Sequence, residues 1–245
     1  MVRSFSDITF TVPSVSNKDK PFGSYELRRE VHWLRGHSRA IVIGMDWNSQ
    51  TINTYDKSAT ELAEFFKGIG ARIEDIELGL QLAQVGSGAR VVEIGCGDGR
   101  DAIEIAKRTS WYQGVDPSEG LLAIAREKLP GASFVAADAL SYQYPQNLDV
   151  IYAFASLLHV NQTDLKTALT KIAGALRKGG VAYLSLKERP EYQEEIKKDQ
   201  YGERMFYYYN PAIVKELAGD SFEAVYETHQ TIGHTNWFTL ALAKQ

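Results

Sequence analysis

The chain has 245 residues, of which 44% are hydrophobic and 24% charged, and its formal net charge is -4. This length and composition allow one globular α/β domain with an additional segment, and the acidic balance disfavours a nucleic-acid partner, whose phosphates would need neutralising lysines and arginines. No apolar run approaches the roughly 18–20 residues of a membrane span. With no signal-peptide pattern and a single cysteine, Cys96, we expect a cytoplasmic protein.

The first 50 residues precede the regular part of the sequence. Residues 1–23 are mixed polar and predict an irregular arm. A helix is predicted over 24–40, and the apolar run 40–45 is typical of a strand. We interpret residues 1–50 as an N-terminal extension that completes a pocket as a lid or makes a dimer contact. The sequence leaves both a monomer and a homodimer open.

Strands and helices then alternate along residues 51–245. Apolar periodicity and glycine or proline stops predict helices over 54–67, 73–83, 101–108, 118–128, 164–177 and 210–218. Strands are predicted over 90–94, 112–115, 133–137, 148–154, 181–186, 222–228 and 237–243. Crossovers of this kind require a parallel sheet covered by helices. The predicted fold is therefore an α/β, doubly wound, mostly parallel seven-stranded sheet with helices on both faces.

A glycine-rich turn, reading E-x-G-x-G-x-G, joins the strand at 90–94 to the next helix. Glycines allow a tight turn and a close ligand approach, and ligands in such sheets bind beyond the carboxyl ends of the strands. A dinucleotide fingerprint would place glycine where Arg100 stands. The carboxylate of Glu93 would repel a pyrophosphate, but it suits a cationic ammonium or sulfonium.

This turn resembles motif I of the class I S-adenosylmethionine-dependent methyltransferases, and the resemblance covers roughly residues 52–245. It implies that family's sheet, with an antiparallel last strand, and S-adenosylmethionine as the cofactor. It also favours the small-molecule branch of the family. Around the turn, the cofactor-binding residues implied by the resemblance are Glu93, Gly95, Cys96, Gly97 and Gly99. For Cys96 we expect a packing role rather than a redox role, because the turn needs small residues.

Three further segments match the family's cofactor site. Asp116, followed by Pro117, lies about 20 residues beyond the first glycine, where an acid accepts hydrogen bonds from ribose hydroxyls; its alternative role is a charge at a helix N-terminus. Asp138 matches the acid that accepts from the adenine amino group, or it is a loop acid without function. The remaining positions implied by the resemblance are Ala139 at the adenine ring, Phe154 and Ala155 beside the methionine, and Tyr55 as a cap over the cofactor.

Substrate residues are predicted less directly. His159 resembles a histidine common in small-molecule members and is our candidate general base, with a structural role as the alternative. The aromatic stretch 187–210 follows the fifth strand, where the family often inserts a substrate cap, although alternating tyrosines also suit a plain strand. Within it we predict substrate contacts from Tyr201, Arg204 and Tyr207.

The predicted reaction is an in-line transfer of a methyl group to an O, N or C atom of a small metabolite. It depends on alignment and water exclusion more than on a catalytic acid. The alternatives are a methyltransferase acting on RNA or protein, a nicotinamide-dependent oxidoreductase, and a non-catalytic cofactor-binding module. His229 and His234 lack a metal-ligand pattern, so no metal is predicted.

Overall fold

The structure is a computed structural model that describes residues 46–245. The helix predicted over 24–40, the strand at 40–45 and the arm before them lie outside the described residues. The described residues contain nine strands, which are β1 (Arg90–Ile94), β2 (Trp111–Asp116), β3 (Ser133–Ala136), β4 (Leu148–Phe154), β5 (Leu176–Lys187), β6 (Gln193–Asp199), β7 (Gly202–Tyr208), β8 (Phe222–Ile232) and β9 (Thr235–Lys244). The same part of the chain contains seven α-helices, which are α1 (Trp47–Lys57), α2 (Ala59–Ile69), α3 (Ile73–Leu82), α4 (Ala102–Arg108), α5 (Glu119–Lys128), α6 (Gln162–Ala175) and α7 (Pro211–Ala218).

Seven of these strands form the central sheet, in the order β3-β2-β1-β4-β5-β9-β8. The neighbours from β3 to β5 are parallel, whereas β9 runs antiparallel to both β5 and β8. The predicted fold class is therefore confirmed, including the antiparallel last strand. The order reverses between β1 and β4, and at such a switch point ligands bind in a crevice beyond the carboxyl edge of the sheet.

Alternation along the strands divides the core between the two faces of the sheet. On β4, Ile151 and Ala153 belong to one apolar cluster, while Val150 and Tyr152 belong to the other. Helix α6 packs in the first cluster, and α3 and α4 pack in the second. A strand covered on both faces has to be apolar throughout, which explains why β4 is predicted with its observed limits.

Two of the differences between the structure and the sequence-based elements concern β5 and α1. Strand β5 begins at Leu176 rather than 181, because Gly179 and Gly180 lie within the strand and do not end the preceding helix in a loop. The helix predicted over 54–67 is divided at Ser58, which ends α1 and precedes α2. Helix α1 therefore crosses residue 50, where the sequence analysis places the boundary between the N-terminal extension and the domain. Among the described residues, no helix is long and apolar enough to cross a bilayer.

Candidate active site at the carboxyl edge of the sheet

The glycine-rich turn after β1 packs tightly on one side and is open on the other. Gly95 has a φ of 73°, and a Cβ at this position would lie 2.1 Å from the Ser156 Cβ. Ser156 in turn donates a hydrogen bond from its Oγ to the Ile94 carbonyl oxygen at 2.7 Å. Gly97 has a φ of 55°, and, apart from its two chain neighbours, no residue from 46 to 245 has an atom within 4 Å of the place its Cβ would occupy. The turn therefore leaves a space at Gly97 that a side chain would fill.

Asp116, at the end of β2, closes the turn from the side. Its Oδ2 accepts the Gly97 N–H at 2.9 Å and its Oδ1 accepts the Ser118 N–H at 2.9 Å. The side chain is buried, and this burial raises the pKa of Asp116 to about 6 despite the two backbone donors. Each carboxylate oxygen keeps a further lone pair, so the group can still accept hydrogen bonds from a ligand. Pro117 is partly buried between Asp116 and Ser118.

Glu93 lies below the same turn, fully enclosed at the end of β1. Its Oε2 accepts a hydrogen bond from the Tyr112 hydroxyl at 2.6 Å. Burial, and next the charge of Asp101, raise the pKa of Glu93 to about 8. The sequence did not single out Tyr112 or Asp101, because neither belongs to the glycine motif. At pH 7 Glu93 is therefore mostly protonated, and a positively charged ligand bound beside it would favour its ionised form.

Arg72, which precedes α3, supplies the opposite charge at this edge. Its guanidinium lies 5.3 Å from the centre of the Phe154 ring, and its Nη1 donates to the Ser185 Oγ at 3.4 Å. Its Nε is buried without a hydrogen-bond partner within residues 46–245. The donor set therefore fits S-adenosylmethionine, whose ammonium and sulfonium suit the acids and whose carboxylate suits an unpaired arginine donor. No motif signals Arg72, because it stands alone before an ordinary amphipathic helix.

A pH dependence follows from Glu93. Its pKa is about 8 in the folded protein and near the usual 4.5 in the unfolded chain, so the folded state binds more protons between these values. The free energy of unfolding should therefore fall as the pH rises from 4.5 to 8. In Glu93→Gln this loss should be smaller by about 4 kcal/mol. Urea unfolding of both proteins at pH 5, 6, 7 and 8 measures the difference, and parallel curves would contradict it.

The other positions predicted to bind the cofactor lie at or just beyond the carboxyl ends of β3 and β4. Asp138 accepts the Leu140 and Ser141 N–H groups with its Oδ1, at 2.9 and 2.7 Å, and so caps the turn that contains the buried Ala139. Phe154 ends β4, and Ala155 after it has a φ of 53°, which is uncommon for a residue with a side chain. The structure thus brings these positions to the same edge as the glycine turn. One carboxylate oxygen of Asp138 is already engaged by the backbone N–H groups that it caps.

Tyr55 on α1 and His159 form a pair at this edge. The two side chains share a hydrogen bond of 2.8 Å between the Tyr55 Oη and His159 Nε2. The other ring nitrogen, Nδ1, lies 2.6 Å from the Met205 carbonyl oxygen, which only accepts, so Nδ1 carries the proton and Tyr55 donates to Nε2. Burial lowers the pKa of His159 to about 3, and Arg204 and Lys187 contribute to the shift. His159 is therefore neutral at pH 7, and its lone pair is engaged by Tyr55.

Helix α1 holds this pair in place through contacts with both sides of the crevice. Asp56 accepts hydrogen bonds from the Ser118 Oγ at 3.1 Å and the Gly120 N–H at 2.7 Å, at the start of α5. On the other side, the Thr51 Oγ1 accepts the Met205 N–H at 3.0 Å, and the Thr54 Oγ1 donates to the Glu203 carbonyl oxygen at 2.9 Å. The sequence stretch around Tyr55 includes Asp56, but a capping contact with a helix 60 residues away has no local signal.

The predicted substrate cap is a hairpin of β6 and β7, and its predicted residues divide between its two faces. Arg204 lies on the face toward α1, with its guanidinium 5.2 Å from the centre of the Tyr55 ring. Tyr201 is at the hairpin tip, 5.8 Å from the same guanidinium. Tyr207 lies on the opposite face and stacks on Tyr192. The structure thus brings Tyr55, His159 and Arg204 together and separates Tyr207 from them.

Comparisons with known proteins agree with this arrangement. Residues 91–180 match the family model described as a methyltransferase domain. The chain is 34% identical over 155 residues to trans-aconitate 2-methyltransferase of Variovorax paradoxus, a match that covers 62% of this chain and 52% of that protein. The chain therefore spans about half the length of this curated relative.

Two solved structures share the fold at low sequence identity. Magnesium protoporphyrin IX methyltransferase of Synechocystis PCC 6803, solved with bound S-adenosylmethionine, is 14% identical, with a TM-score of 0.55, covering 82% of this chain and 86% of its own. The [4+2]-cyclase SpnF is 18% identical, with a TM-score of 0.63, covering 80% of this chain and 96% of its own. The family model therefore identifies a methyltransferase domain at residues 91–180, and the fold is the one found in solved S-adenosylmethionine-dependent methyltransferases.

Proposed function

We propose that this protein transfers a methyl group from S-adenosylmethionine to a small metabolite. The observation that carries the proposal is the meeting of three features at one edge of the sheet: the open space at Gly97, the buried acids Glu93 and Asp116, and the unpaired Nε of Arg72. A zwitterionic cofactor with a cationic sulfur matches each of them. The relatives named trans-aconitate 2-methyltransferase support a small-molecule substrate by that name.

In this proposal the protein binds and orients the cofactor and the acceptor, and it needs little acid–base chemistry. When bound, the cofactor supplies an activated methyl group on a positively charged sulfur. Asp116 would hold the ribose, Asp138 and Ala139 the adenine, and the backbone around Phe154 and Ala155 the methionine. Tyr55 and the cap hairpin would exclude water and align the acceptor. Such alignment suits transfer to oxygen, nitrogen or carbon, which is why the cofactor site alone does not define the acceptor atom.

The test is calorimetric titration of the purified protein with S-adenosylhomocysteine, followed by product analysis. We expect binding of S-adenosylhomocysteine and none of NADH, and formation of S-adenosylhomocysteine when S-adenosylmethionine is supplied with small metabolites. Binding without any turnover would favour the non-catalytic module. Methyl incorporation into total RNA or protein alone would favour a macromolecular substrate. Absence of S-adenosylhomocysteine binding would contradict the proposal itself.

A further inference from the structure

Four basic side chains surround two aromatic rings on the face of the hairpin that points toward α1. Around the Phe206 ring, the Lys187 Nζ lies 3.7 Å from the ring centre, the Arg204 Cζ 5.5 Å and the Lys197 Nζ 5.9 Å. The Arg189 Cζ lies 3.8 Å from the centre of the Tyr208 ring. We call this set the basic cap face, and its members are Lys187, Arg189, Lys197, Arg204, Phe206 and Tyr208.

Two carboxylates accompany these four cations on the described hairpin face. Glu195 pairs with Arg189 at 2.5 Å and contacts Lys197 at 3.9 Å, while Asp199 pairs with Arg204. Lys187 makes no ion pair with any residue from 46 to 245. Arg204 is 8% exposed, and its Nε has no hydrogen-bond partner in the same part of the chain. The face therefore keeps an excess of positive charge and a buried donor that a ligand could satisfy.

This arrangement of positive charges destabilises the hairpin when no ligand is bound. Lys197 and Arg204 are direct partners in the antiparallel register, so two like charges stand opposite each other on the same face. Their charges, after the effect of burial, also help to lower the pKa of Lys187 to about 8. A bound anion would relieve this repulsion and would raise the pKa of Lys187 again.

The basic cap face adjoins the expected cofactor site through Tyr55 and His159. The His159 ring lies 4.7 Å from the Phe206 ring, centre to centre, and Arg204 stands over the Tyr55 ring. Burial raises the pKa of Tyr55, and the charge of nearby Asp116 contributes to the shift. A molecule bound on this face would therefore lie next to the site at which the methyl group is expected.

We infer that the basic cap face binds a carboxylate-bearing small molecule, and that a carboxylate of this molecule is the methyl acceptor. The inference rests on the proposed function and names its substrate class. Arginine and lysine side chains suit carboxylate oxygens, and Arg204 offers the planar geometry for such a pair. His159 is a poor base whose lone pair is already engaged, which matches an acceptor that has no proton to lose.

The reaction balances without a general base. A lone pair of the carboxylate oxygen forms a bond to the methyl carbon as the carbon–sulfur bond breaks, and the electron pair of that bond stays on sulfur. The anionic acceptor becomes a neutral methyl ester, and the cationic sulfur becomes a neutral thioether. No proton is transferred, so Tyr55 and His159 would only position the acceptor.

Binding is tested first, on protein saturated with S-adenosylhomocysteine at fixed ionic strength. The calorimetric probes are succinate and citrate, with neutral succinamide and inorganic phosphate as comparisons. We expect a carboxylate probe to bind, succinamide and phosphate to bind more weakly, and Lys187→Met and Lys197→Met to weaken binding at least about tenfold each. The matched control is Lys198→Met, which removes a lysine of the same strand on the opposite face and should leave binding unchanged.

Each outcome has a distinct meaning. Equal binding of succinate and succinamide, binding that Lys187→Met leaves intact, or no binding of any carboxylate would overturn the inference. In the turnover assay, products from carboxylic acids that mild alkali hydrolyses back to the acid would support it, and methylation of amines or neutral alcohols alone would overturn it. If S-adenosylhomocysteine itself does not bind, the proposed function fails first, and the two failures are thereby distinguished.

Discussion

The Asp116→Asn variant is expected to bind S-adenosylhomocysteine about 100-fold more weakly than the wild-type protein. Hydrogen bonds from hydroxyls to a buried charged acceptor contribute roughly 1.5–3 kcal/mol each, and a ribose offers two hydroxyls. Together they correspond to about 3 kcal/mol, or two decades in the dissociation constant. The effect should be large because Asp116 is buried and already oriented by Gly97 and Ser118, so no side-chain ordering offsets it.

Calorimetry measures this effect, and urea unfolding shows whether the variant remains folded. We expect a loss of about 1 kcal/mol in unfolding free energy, since the asparagine amide cannot accept both backbone N–H groups. Glu119→Gln is the control: its side chain is 63% exposed, it lies three residues further along the chain, and its loss removes the same charge. An unchanged affinity of Asp116→Asn would mean that the ribose lies elsewhere.

Of two alanine substitutions in the glycine turn, one should mainly lower stability and the other should mainly lower the affinity for S-adenosylhomocysteine. Gly95→Ala is expected to lower the unfolding free energy by about 3 kcal/mol, because its Cβ would lie 2.1 Å from the Ser156 Cβ and its φ is positive. Gly97→Ala should cost only about 1 kcal/mol of stability, from its φ alone. Its Cβ would enter the open space, and affinity for S-adenosylhomocysteine should fall at least about tenfold.

Urea unfolding and calorimetric titration of both variants separate the two effects. The double variant Gly95→Ala with Ser156→Gly removes the clashing Cβ and should recover part of the lost stability. The recovery should be incomplete, because the hydrogen bond from Ser156 to Ile94 is lost as well. A Gly97→Ala protein that binds S-adenosylhomocysteine as tightly as the wild type would show that the open space at this turn is not part of the cofactor site.

Sequence patterns predict the sheet well and the cap poorly, for a physical reason. Strand β4 is buried on both faces, so the ends of its apolar run mark the ends of the strand. Strand β6 reads QEEIKKD, with little apolar alternation, and it is a strand because β7 pairs with it along its whole length. Helix α1 ends at Ser58, whose Oγ donates to the Tyr201 carbonyl oxygen in the distant hairpin. Contacts of this kind have no local signature.

The same distinction applies to the site. The positions around the glycine turn can be predicted from the sequence because a tight backbone turn restricts the residue types at fixed spacing. Arg72 and Lys187 are single basic residues in unremarkable surroundings, and only the fold places them at the carboxyl edge of the sheet. Tyr207 illustrates the reverse case: the aromatic stretch suggests a substrate contact, but alternation along β7 turns it to the face away from Arg204.

Helix α1 joins the start of α5 to the backbone of β7, so it would couple the proposed cofactor and acceptor sites mechanically. Movement of α1 at one end disturbs the hydrogen bonds of Asp56, and at the other end those of Thr51 and Thr54. Linkage requires that any increase in nucleoside affinity caused by the acceptor is matched by an equal increase in acceptor affinity caused by the nucleoside. Cooperativity between the two ligands would then be symmetric, whichever of them arrives first.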